Sequence, residues 1–169
     1  KSSFDAAPTT STHAADRNIA YALFTGTAGN HMYKTTNGGS SWTKLTDPTY
    51  YIAQTWFCLA LGVHPTNPNI VIGGSIGMGY TKDGGTTWVK ASGLEVDYHD
   101  VHFHASNPDV AYIGYDQGIG RIDFANESEF WSWNGTEYVI VKQAAQLELG
   151  KKPGFNTSQI YYGDYFPEA

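Results

Sequence analysis

Seven consecutive residues, Tyr98-His99-Asp100-Val101-His102-Phe103-His104, gather three imidazoles and a carboxylate. Side chains alternate along a strand, so Asp100, His102 and His104 would share one face and Val101 and Phe103 the other. Three such groups side by side could hold a divalent metal ion. A comparison within the chain weakens that reading. His104-Ala-Ser-Asn107-Pro108 repeats His64-Pro-Thr-Asn67-Pro68 at an offset of 40 residues, which gives both histidines a role in a turn. Asp100 and His102 align with Ala60 and Gly62 and are therefore additional. They are expected to face a ligand or a channel, and neither a metal nor a cofactor is expected.

Carboxylates are the next candidates. Asp97, Asp100, Asp116, Asp123 and Asp164 are available, with Trp56, Tyr98 and Tyr115 as aromatic surfaces on which sugars could stack. An inverting glycosidase sets two carboxyl groups about 6.5–9.5 Å apart. No local motif here marks an acid or a base, so no catalytic residue is assigned. Gly114-Tyr115-Asp116-Gln117-Gly118-Ile119-Gly120 is glycine-rich but lacks the Lys-Ser/Thr of a phosphate loop. It reads as a hairpin turn at a sheet end, with Tyr115 and Asp116 placed to face a ligand. Cys58, the single cysteine, lies in the apolar run Trp56-Phe57-Cys58-Leu59-Ala60-Leu61 and reads as a buried small hydrophobe.

Composition narrows the partners. The net charge is −6 with two arginines, Arg17 and Arg121. No basic stripe suits nucleic acid. No run of 18 apolar residues suggests a membrane-spanning helix. Twelve Tyr, eight Phe, five Trp and nineteen Gly, with only 15% charged residues, suit short strands joined by tight turns. Three sequons, at Asn126, Asn134 and Asn156, matter only in a secreted eukaryotic protein.

These groups must be positioned by a repeat. "KTTNGGSSWTKL" begins at Lys34 and "YTKDGGTTWVKA" follows 46 residues later at Tyr80. A period of 40 to 50 residues is the size of a four-stranded propeller blade. Asn-Gly and Asp-Gly are strong hairpin signals because the turn needs positive φ. The units are expected at about 1–47, 48–93 and 94–152, with the start of another at 153–169. Val141–Gly150 could form a turn or two of helix; everything else reads as strand and turn.

Thr35-Thr-Asn37-Gly-Gly39-Ser-Ser-Trp42 and Thr81-Lys-Asp83-Gly-Gly85-Thr-Thr-Trp88 resemble the Asp-box, or bacterial neuraminidase repeat, whose pattern is Ser/Thr-x-Asp-x-Gly-x-x-Trp. The second copy matches fully; the first has Asn37 for Asp, and the third unit has lost the glycine pair. The wider pattern is similar to the propellers of secreted xyloglucanases, sortilin-type receptors and bacterial surface proteins. The resemblance implies an all-β propeller of four-stranded blades and a secreted or cell-surface, bacterial setting. It also implies that each box is a structural turn between the third and fourth strands, pinned by its tryptophan. Three blades cannot close a ring, and an open array leaves unpaired edges. The remaining blades, from the same protein or a partner chain, of a six- to eight-bladed ring are therefore expected. Sialidase activity, which needs three arginines on the substrate carboxylate, does not fit two. The reading is a non-catalytic binding or scaffold surface for glycans or proteins. The alternatives are a fragment of a xyloglucanase-like glycoside hydrolase and a structural subunit that assembles blades between chains.

Overall fold

The computed structural model describes residues 2–6, 17–26, 29–46, 57–91, 97–116, 118–133 and 136–151. They form three antiparallel four-stranded sheets, with no α-helix among them. The first sheet holds β1 (Ser2–Ala6), β2 (Ala20–Gly26), β3 (Gly29–Thr35) and β4 (Thr43–Lys44). The second holds β5 (Ala60–Val63), β6 (Val71–Gly74), β7 (Met78–Thr81) and β8 (Val89–Lys90). The third holds β9 (Tyr98–Phe103), β10 (Val110–Tyr115), β11 (Gly118–Trp133) and β12 (Tyr138–Lys151). Within each sheet the strands lie in chain order, each paired with the next. The segment from 152 to 169, where a further unit is expected, lies outside the described residues, as does Trp56.

The sheets pack face to face in series. Tyr21, Leu23 and Met32 of the first sheet meet Leu59, Leu61, Val63, Val71 and Trp88 of the second. The opposite face of the second sheet, through Ala60, Ile72, Met78 and Tyr80, meets Val101, Ala111, Ile113, Tyr115 and Ile122 of the third. Strand alternation produces this two-sided burial: β5, β6 and β7 are buried at every position because both faces are covered. Gly62 allows a close approach of the third sheet, since a Cβ there would collide with Val101. The first strands lie side by side, β1 against β5 and β5 against β9.

Val141–Gly150 is strand, not helix. It belongs to β12, which pairs with β11 from Gly118↔Lys151 to Trp133↔Tyr138. The segment alternates apolar and polar residues too weakly to declare a period, and the partner strand decides the outcome. This hairpin extends the third sheet well past its neighbours, whose fourth strands have two residues each.

Candidate functional site

Each box is built around one hydroxyl. In the second, Thr81 Oγ1 donates to Asp83 Oδ1 at 2.7 Å and accepts from the N–H groups of Asp83 and Gly85 at 3.2 and 2.9 Å. The Asp83 carboxylate accepts from Thr86 N–H, Thr87 N–H and the Thr87 hydroxyl, the last at 2.6 Å. Those donors, the Thr87 hydroxyl foremost, pull its pKa down to about 2. Gly84 and Gly85 adopt φ of 72° and 95°, the left-handed region that a side chain resists. The first box repeats the scheme with a neutral amide. Thr35 Oγ1 donates to Asn37 Oδ1 and accepts from Gly39 N–H, while Asn37 Oδ1 accepts from Ser41 N–H. All these groups serve the turn itself.

The tryptophans differ. Trp88 is 9% exposed and packs in the cluster shared by the first and second sheets. Trp42 is 38% exposed. The third sheet has no box. Asp123 stands near its position and accepts from Arg121 (2.6 Å), Asn126 Nδ2 and Ala125 N–H. These partners hold its carboxyl below the ordinary range against the opposing effect of burial.

The repeated histidines hold their turns. His64 Nδ1 accepts from the N–H groups of Thr66 and Asn67, and His104 Nδ1 from those of Ser106 and Asn107. With Nδ1 an acceptor, the proton of a neutral ring sits on Nε2. In His64 that atom faces Asp109 Oδ1 of the third sheet at 3.5 Å, and the ring packs edge-on to Phe103. Burial lowers the His64 pKa, against the pull of Asp109.

Chemistry-bearing side chains converge where β9 begins and β10 ends. His99 Nε2 lies 2.6 Å from Asp116 Oδ1. The ring of Phe57, 50% exposed, stands edge-on to His99 with centroids 5.1 Å apart. Asp97 adopts φ 64°, and no other non-glycine among the described residues has positive φ. Two contacts fix it there: its N–H donates to the Ile76 carbonyl, and its own carbonyl accepts from Asp116 N–H. The Cys58 thiol donates to Asp97 Oδ1 at 3.5 Å. Burial first, then that carboxylate, pushes the thiol pKa up to about 11, so it is no nucleophile at neutral pH. Asp97 thus joins the second sheet's β6–β7 turn to the third sheet's β10–β11 turn.

Of the four residues read as ligand-facing, Asp116 belongs to this cluster. Asp100 and His102 form their own exposed pair, 2.9 Å apart, on the far face of β9. Tyr115 is a correction: it is 1% exposed, because it continues the inward row of Ala111 and Ile113 and packs edge-on to Tyr98. His99 escapes the strand-face pattern because the ladder shifts register opposite it, between Gly114 and Tyr115. Asp97 was among the available carboxylates, but its left-handed φ, its contact with Cys58 and the approach of Phe57 to His99 had no signal in the sequence beyond the tolerance of Asp for that conformation. No group of three or more His, Cys, Asp or Glu positioned for a metal occurs among the described residues.

No protein-family model matches the chain. No curated protein matches it either. Among the solved structures that do is the crystal structure of an ancestral GH74 enzyme, with a TM-score of 0.51 and 14% identity. The match covers 85% of this chain and 18% of that one. At this identity the likeness is one of fold: an all-β chain of successive sheets.

Proposed function

We propose that the three sheets are consecutive blades of an Asp-box β-propeller, and that the cluster at the start of β9 is a carbohydrate-binding end. The observation that carries this is the half-exposed Phe57 ring beside the His99–Asp116 pair. A sugar needs a flat apolar surface for its C–H face and fixed polar groups for its hydroxyls, and this cluster supplies both. Asp116 and His99 are held by a short mutual contact, so little conformational entropy is lost when a hydroxyl binds. The setting is extracellular or at a cell surface, and the protein works as a rigid module without catalysis of its own.

Affinity electrophoresis through gels containing soluble xyloglucan, β-glucan or mannan tests the reading. Retardation in one of these gels, lost on Phe57→Ala, supports it. Unretarded migration in all three contradicts it. The likeness to an ancestral GH74 enzyme favours a second reading, a portion of a glycoside hydrolase in which Asp116 acts as one carboxylate. Release of new reducing ends from xyloglucan, abolished by Asp116→Asn, would replace the binding reading with that one.

A further inference from the structure

The carbohydrate end is assembled from three separate segments, and one residue is bonded to all of them. Phe57 and Cys58 precede β5, Asp97 and His99 stand at the entry to β9, and Asp116 follows β10. The Asp97 carboxylate accepts from the Cys58 thiol at 3.5 Å, one residue along the chain from the Phe57 ring. The Asp97 carbonyl accepts from Asp116 N–H at 3.1 Å. His99, whose Nε2 lies 2.6 Å from Asp116 Oδ1, is two residues further on. The β6–β7 turn anchors the whole. Asp97 N–H donates to the Ile76 carbonyl at 3.3 Å, and Tyr98 N–H to that of Ser75 at 2.7 Å.

The residue type at this position answers two demands at once. With φ at 64°, the N–H turns to one loop and the carbonyl to another. Most side chains resist that conformation; Gly takes it freely, and Asn and Asp more readily than the rest. Glycine would bring no acceptor to the buried Cys58 thiol. Nor can the polar pair swing to compensate for a shift of the backbone. The Asp116 side chain is only 16% exposed, and its carboxylate is already engaged by His99.

The geometry points to Asp97 as the positioning residue of the carbohydrate end, the group that sets the Phe57 surface and the His99–Asp116 pair at a fixed distance from each other. It acts through its neighbours. Its left-handed backbone places Asp116 and His99, and its carboxylate holds the Phe57–Cys58 segment. A site whose two halves are fixed beforehand loses less entropy on binding, and supporting contacts of this kind keep binding groups within a fraction of an ångström. The inference rests on the carbohydrate reading for its consequence, because the spacing matters to a ligand that touches both halves.

Three substitutions separate the two demands. D97N keeps the conformation and an acceptor, D97G keeps the conformation alone, and D97A keeps neither. Each is compared with the native chain by isothermal titration with xyloglucan oligosaccharides and by hydrogen exchange at the Asp116 amide. D97N is expected to hold affinity within about two-fold, D97G to lose about five-fold and D97A about ten-fold or more, from the sizes of one hydrogen bond and of the left-handed penalty. Protection of the Asp116 amide is expected to fall in the same order. A purely structural role would lower the urea midpoint and leave the affinity of the folded chain unchanged. Native affinity in D97G and D97A overturns the inference and leaves the carbohydrate reading standing. Undiminished Asp116 protection in D97A overturns it whether or not sugar binds. If D97A does not fold, equal affinity and equal protection in D97N and D97G overturn it instead. A native chain that binds none of these sugars, while Asp116 protection still falls in that order, sinks the carbohydrate reading and keeps Asp97 as the residue that places the pair.

Discussion

Single atoms set much of this molecule's behaviour. His64 Nδ1 accepts two backbone N–H groups, so a second proton has no place on that ring without breaking a turn. Burial lowers its folded pKa, against the pull of Asp109. The unfolded chain then binds the proton more readily, and stability rises with pH. The stability due to neutral His64 is complete above the ordinary imidazole value and is lost as pH falls toward the lowered folded value. Asp109 is the charged group facing the ring, and it softens the loss without reversing it. Urea midpoints at pH 8 and pH 5 should differ in the native chain and differ less in His64→Asn, whose Oδ1 can accept in place of Nδ1. An equal pH dependence in both would contradict the role given to His64. Asp83 acts lower on the scale. With its pKa depressed to about 2, its contribution is present above the usual carboxylate value and is lost only in strong acid.

At the scale of elements, the two boxes share a scheme and differ in cover. Trp88 sits in the cluster that joins two sheets, whereas Trp42 is more than a third exposed. Trp88→Ala should cost about 3–5 kcal/mol, and Trp42→Ala clearly less. Chemical denaturation compares them, and equal losses would contradict the packing described. The hub hydroxyl matters as well. Thr81→Val leaves two buried or half-buried N–H groups unpaired and should cost about 1–3 kcal/mol; a midpoint within error of the native value would refute that. The boxes were legible in the sequence because their chemistry is local: a hydroxyl, an amide or carboxylate two residues on, and glycine at positive φ. The β11–β12 hairpin was not, because Gln143–Leu149 states no strand preference and only pairing with β11 makes it extended. Tyr115 misled for a related reason. Its place beside a turn suggested exposure, but its strand parity points it into the core.

For the whole molecule, the three sheets among the described residues stack in series, each burying one face against the next. The repeat announced that seriality. It could not announce the cluster at the start of β9, because Phe57, Asp97, His99 and Asp116 come from three separate segments. Only the stacking of two sheets brings them together. That cluster bears the central functional claim. Isothermal titration of the native chain and of Phe57→Ala with xyloglucan oligosaccharides tests it most directly. The account predicts heat of binding to the native chain and a loss of about ten-fold or more in affinity for the variant. No heat with the native chain, or equal affinity in the two, would contradict it.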